Sequence, residues 1–183
     1  MSSSSTQSVS EKAQLLTLLE ESEKRWRDVL NSIPECACGV KLNDDGWSIL
    51  QIAEHVSAAE HGMYRGLELA VPKATPPDHA RDQVIRTMAP NRANKLQAPS
   101  PSLPKGRWLT LAECLDAFQK SRARTIEMVR TADDLRNKMF KHPLMGELDG
   151  YQAVLVIAAH PQRHAMQIEE IKASTAYAAT LNS

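Results

Sequence analysis

The sequence predicts an all-α fold, a bundle of four long helices, and three observations carry that expectation. Four segments repeat apolar residues at the three- and four-residue steps of a helix. No segment alternates convincingly between apolar and polar residues as a half-buried strand does. Seven of the ten prolines fall between residues 72 and 104, which bars a long helix from that stretch.

The first helix is expected from about Glu11 to Ile33, with Leu15, Leu19, Trp26, Leu30 and Ile33 on one face. Glu20, Glu21, Glu23 and Lys24 fall mostly off that stripe, and Pro34 and Gly39 break the pattern. The second runs from about Trp47 to Ala70, its stripe being Ile49, Ile52, Val56, Ala59, Met63 and Leu67. Asp44 or Asp45 can cap its start, since either side chain accepts from free backbone N–H groups. The third opens on Thr110 and Glu113, spaced as a capping box, and presents Leu111, Leu115, Phe118, Arg122, Thr125 and Val129. The fourth begins after Gly150 and continues to about Lys172. Residues 1–10 read as a disordered leader, 11–175 as a single domain and 176–183 as a flexible tail.

The proline-rich connection between the second and third helices is long enough to cross the length of a bundle. Within it, Pro77 to Met88 can form a short surface helix. Connections of this length often act as a lid or a pocket wall, and they also simply wrap the surface. Both readings stand at this point.

Composition narrows the function. With 183 residues, 42% of them apolar, the chain can fill a sizeable core. Lys plus Arg equals Asp plus Glu at 22 each, so there is no cationic surplus to neutralise nucleic-acid phosphates. Eight aromatic residues offer no obvious base-stacking platform. No apolar run reaches the length of about 20 residues that a membrane span needs. Cys36, Cys38 and Cys114 make a poor disulfide framework and read as free thiols, and the serine-rich start lacks the pattern of a signal peptide. The expected location is the cytoplasm, with neither nucleic acid nor membrane as partner.

The histidines carry the chemistry. Ile157, His160, His164, Ile168 and Ile171 form one stripe of the fourth helix, so two imidazoles one turn apart face inward among apolar neighbours. A buried imidazole left without a partner costs about 1–3 kcal/mol, and two protonated ones repel. A shared divalent cation resolves both problems, and neutral imidazole suits zinc or nickel. Satisfied core histidines or surface histidines also account for such a pair. His55, on the inward stripe of the second helix, adds a third ring that side-by-side packing would bring to the other two. His61 lies six residues on and points elsewhere, and His79 sits in the proline-rich connection.

These segments resemble a known family. Trp47 to His55 (WSILQIAEH) looks like the second-helix motif of DinB-like, YfiT-type bundle proteins. His142-Pro-Leu-Met-Gly146, then His160-x-x-x-His164 and Gln167-Ile-Glu-Glu, looks like their C-terminal motif. The resemblance spans about residues 11–173. It implies up-down-down-up order, a long crossover between helices two and three, and metal ligation by His55, His160 and His164. It also implies a homodimer, and an enzyme that activates a low-molecular-weight thiol or water against a small-molecule substrate. A non-catalytic metal-binding or stress-related bundle is the alternative. One departure is Pro161, which removes the helical bond to the Ile157 carbonyl and is expected to kink the helix beside His160.

Three residues are weaker candidates for substrate binding. An inward Arg122 guanidinium would suit a carboxylate, although a snorkelling arginine explains its place equally. Gln167, three residues after His164, reads as a support for that ring or as an exposed side chain. His142 reads as a residue of the pocket mouth or as a structural loop histidine before Pro143. No Asp or Glu sits convincingly on the histidine face, so no general base is assigned.

Overall fold

The computed structural model describes residues 2–73, 75–93 and 97–182; Met1 of the expected leader and Ser183 of the expected tail lie outside them. Four long helices, α1 (Ser2–Asn31), α2 (Ile49–Glu68), α4 (Leu111–Thr131) and α5 (Gly150–Lys172), form the bundle. Two short ones complete the helices: α3 (His79–Met88) lies in the connection between α2 and α4, and α6 (Thr175–Leu181) follows α5. The bundle has up-down-down-up order, with α1 and α2 each packed against both α4 and α5. That arrangement sets α2 beside α5, and so the helix carrying His55 beside the one carrying His160 and His164.

Most of the stripes are buried as the periodicity requires. Leu15, Leu19, Trp26, Leu30, Ile49, Ile52, Val56, Phe118, Val129, Ile157 and Ile168 all lie in the core. The helix starts follow from side chains that accept from free N–H groups. Thr110 and Glu113 form the expected capping box, and Asp149 and Gln152 form another at α5. For α2 the cap is Ser48, boxed with Gln51, rather than Asp44 or Asp45. Helix α1 starts at Ser2, inside the segment read as a leader, because no glycine or proline interrupts residues 2–33. At the other end, the segment read as a flexible tail carries α6. Ser174 caps it, and Tyr177 packs into the core.

Strands also exist where none was expected. β1 (Val71–Pro72), β2 (Lys138–His142) and β3 (Gly146–Asp149) make a small antiparallel sheet in the order β1-β2-β3. Val71 pairs with Met139, and Phe140 pairs with Leu148. In β2 only Phe140 is buried, and in β3 the buried Leu148 and Asp149 are adjacent, so neither strand alternates long enough to register as one. A side chain at Gly66 would collide with the Phe140 ring, so the glycine is what lets the sheet dock on α2.

The connection from α2 to α4 crosses the bundle as predicted and is pinned where it passes α2. Lys105, Gly106 and Arg107 point successive backbone N–H groups at the Glu54 carboxylate, at 2.8, 2.9 and 3.1 Å. Gly106 has a φ of +72°, the conformation that lets one turn present all three donors. Burial pushes the Glu54 carboxyl up, but those backbone bonds and the Arg107 guanidinium outweigh it and hold it below its ordinary value.

Candidate metal centre

Two helices bring the three rings to the centre. His55 lies on the buried face of α2, one turn past Gln51, with the Trp47 ring centred 4.9 Å away. His160 and His164 stand one turn apart on α5, their centroids separated by 4.6 Å. From His55 the centroids of His160 and His164 lie at 5.1 and 4.7 Å. One ligand nitrogen from each ring falls within 4.8 Å of the other two, so small rotations bring all three onto a single ion. His55 and His164 are buried and His160 is half-buried.

Two of the three rings are already oriented by the protein. The Nδ1 of His55 lies 2.8 Å from the Ser102 carbonyl. A carbonyl only accepts, so Nδ1 carries the proton and Nε2 keeps its lone pair. His164 is held the same way by the Gln167 Oε1, at 2.8 Å from Nδ1. This is the arrangement in which an outer acceptor fixes the tautomer of a metal-binding imidazole. His160 differs: its Nδ1 is buried and has no hydrogen-bond partner.

Electrostatics point the same way. Burial holds the His55 and His164 imidazoles below their ordinary value, His164 at about 3. Burial also pushes His160 well down, and the neighbouring rings of His164 and His55 add to the effect. All three are therefore neutral at neutral pH, the form that donates a lone pair to a metal. Neutral nitrogen donors, two fixed tautomers and one orphaned buried nitrogen fit a divalent ion.

The three weaker candidates take different places in the structure. Arg122 is fully buried. It neither snorkels nor waits for a substrate carboxylate, because all five of its donors are taken inside the core. They go to both Glu60 carboxylate oxygens, the Leu19 carbonyl, the Ser22 hydroxyl and the Ile157 carbonyl. Gln167 faces His164 and accepts a second bond from Arg92 Nη1 at 3.2 Å, which makes it a support for the ring. His142 holds the β2–β3 turn, its Nδ1 accepting from the N–H groups of Leu144 and Met145 at 3.2 Å each. It still stands near enough to His160 for the two charges to oppose each other.

Sequence reasoning missed three contributors. Ser102 acts through its backbone carbonyl, which carries no side-chain signature. Glu54 precedes His55 and sits off the apolar stripe, so no periodicity marks it as the buried residue that the crossover makes it. Arg92 comes from the proline-rich connection and grips Glu170 with two bonds while it holds Gln167. Helix α5 continues through the site past Pro161.

Comparisons with known proteins agree with this architecture. TT2238, a four-helix bundle protein, shares 25% identity at a TM-score of 0.56, over 86% of this chain and 98% of that one. YfiT from Bacillus subtilis, described as a probable metal-dependent hydrolase with an unusual four-helix bundle topology, superimposes with a TM-score of 0.61. It shares 17% identity, over 88% of this chain and 85% of that one. No curated protein matches the sequence significantly. The DinB superfamily matches across residues 18–168, most of the chain, and the protein belongs to that superfamily.

Proposed function

We propose that the protein is a metal-dependent enzyme in which His55, His160 and His164 hold one divalent ion, zinc or nickel. The observation that carries this reading is the meeting of three neutral imidazoles, one of them with a buried, unpartnered nitrogen. Three protein ligands leave a position open, as in catalytic rather than structural zinc sites. A bound ion supplies Lewis acidity, easing deprotonation of a thiol or a water in that open position.

The protein's own groups set the rest. Ser102 and Gln167 fix two of the rings, and Trp47 walls the side next to His55. Because His142 accepts two backbone N–H groups at Nδ1, its proton resides on Nε2, from which it can donate to a substrate oxygen. Among the described residues no carboxylate joins the three imidazoles. A thiol, with an ordinary pKa of about 8.5, needs less help from a base than water does. That favours transfer of a low-molecular-weight thiol to a small electrophile. The description of YfiT favours the second reading, hydrolysis. In either case the substrate is a small molecule and the working unit a homodimer.

The test is a panel of electrophiles offered with and without low-molecular-weight thiols, using zinc- or nickel-loaded protein and His160→Ala as control. The expected result is turnover that the control lacks and that depends on the thiol. Turnover without thiol would select hydrolysis. Equal inactivity of both proteins would leave a non-catalytic role, in which the ion joins α2 to α5.

A further inference from the structure

Pro161 stands between two of the ligand positions, and its ring nitrogen has no hydrogen to give the Ile157 carbonyl one turn back. Ile157 is fully buried, so water cannot replace the missing donor, and an unsatisfied buried carbonyl is rare. The replacement comes from another helix. Arg122 Nη2 lies 3.3 Å from that carbonyl, and α5 runs unbroken from Gly150 to Lys172.

The guanidinium is itself held from several sides. Its Nε and Nη2 donate to Glu60 at 2.6 and 3.0 Å, and Nη1 donates to the Leu19 carbonyl and the Ser22 hydroxyl at 2.7 Å each. The anchors come from α1 and from α2, the helix that also carries His55. One planar group thus ties α1, α2 and α4 to the point on α5 where the backbone ladder is interrupted, three residues before His160.

We propose that Arg122 is a positioning residue for the metal centre: it supplies across the bundle the donor that Pro161 removes. By doing so it fixes the turn of α5 from Ile157 to Pro161 that carries His160 and leads on to His164. The inference rests on the metal-centre reading, yet the coupling between Arg122 and Pro161 exists with or without an ion. Lysine at 122 keeps the charge beside Glu60, but one ammonium cannot span Glu60, Leu19, Ser22 and Ile157 together. Alanine at 161 supplies the backbone N–H that proline withholds from the Ile157 carbonyl.

The experiment is a double-mutant cycle with Arg122→Lys and Pro161→Ala, read by the Kd for Zn²⁺ and by the melting temperature of the metal-free proteins. In the native background Arg122→Lys is expected to weaken Zn²⁺ binding by about 10- to 100-fold, as loss of an outer support does. In the Pro161→Ala background the loss should shrink to about threefold or less, because neighbours that share a partner are not additive. Equal losses in both backgrounds, or none in either, would overturn the proposal. Should Arg122→Lys fail to fold, Pro161→Ala is expected to restore it, and failure to do so counts against the proposal. If the native protein binds no Zn²⁺, the metal reading fails instead. The coupling is then judged by melting temperature alone, with Pro161→Ala raising that of Arg122→Lys more than that of the native chain.

Discussion

Around Arg136 every buried charge meets an opposite one, whereas around His55, His160 and His164 three like groups meet with none between them. Arg136 bonds Glu11, Asp82 and Asp149 at 2.8 to 3.2 Å, and its guanidinium lies 3.8 Å above the centre of the Tyr151 ring. Gln152 donates to the remaining side of Asp82 at 3.0 Å. That network is complete within the chain, and a complete polar network makes a core specific and rigid. The histidine cluster is arranged with equal care, through Ser102 and Gln167, but one of its buried nitrogens has no partner. A closed network is architecture; an oriented cluster that stays open is a place for a ligand.

The contrast can be broken by substitution. His55→Ala, His160→Ala and His164→Ala should each abolish stoichiometric metal, the largest effect expected. Chelation should then lower the melting temperature of the native protein while leaving the variants unmoved, because only a native-state ligand stabilises by binding. Arg136→Met should do the reverse. Leaving Asp82 buried without its guanidinium, and Asp149 with only Lys73 at 3.8 Å, is expected to cost about 3–5 kcal/mol in denaturant unfolding, with metal per folded chain unchanged.

Acid separates the two regions by where stability starts to fall. The three imidazoles titrate below 6.5 in the folded chain, His164 at about 3, so the unfolded chain takes up protons first. Stability of the metal-free protein is therefore full above pH 6.5 and falls as the pH drops from there toward about 3. His142, lowered by burial, contributes to the same fall. Glu54 and Asp82 are also held low, against the effect of burial, by their hydrogen bonds, but from ordinary values of 4.5 and 3.8. Their contribution disappears only at more acid pH. Urea unfolding between pH 7 and 5 should thus show a loss that His164→Gln reduces and Asp82→Asn does not.

The smallest of these effects belongs to Gln167. Replacing it with alanine removes the acceptor that orients His164 and should weaken metal binding by about 10- to 100-fold without abolishing it. Titration calorimetry measures this directly, and an unchanged Kd would mean that the ring is set by packing alone.

How far the molecule was legible follows from where each signal resides. Ile52, Val56, Ile157 and Ile168 announce their helices and inward faces because burial on one side of a helix writes a period into the sequence. The Thr110–Glu113 box is local, and so readable. His55 stood out as an imidazole on an apolar stripe, although its neighbours on α5 lie more than a hundred residues away. The sheet was not legible, since Val71–Pro72 is too short to show a period and Phe140 alone marks β2. Arg122 read either as a snorkelling or as a functional charge, because its counter-charge, Glu60, lies on another helix. Ser102 was beyond reach for a different reason: a backbone carbonyl has no residue type, and only the folded crossover delivers it to His55.

The central claim is tested most directly by elemental analysis of protein purified without an affinity tag, beside His55→Ala prepared identically. One divalent ion per native chain, and none in the variant, is the result this account predicts. A native protein that takes up no zinc or nickel even when supplied, or a variant that keeps a full equivalent, would contradict it.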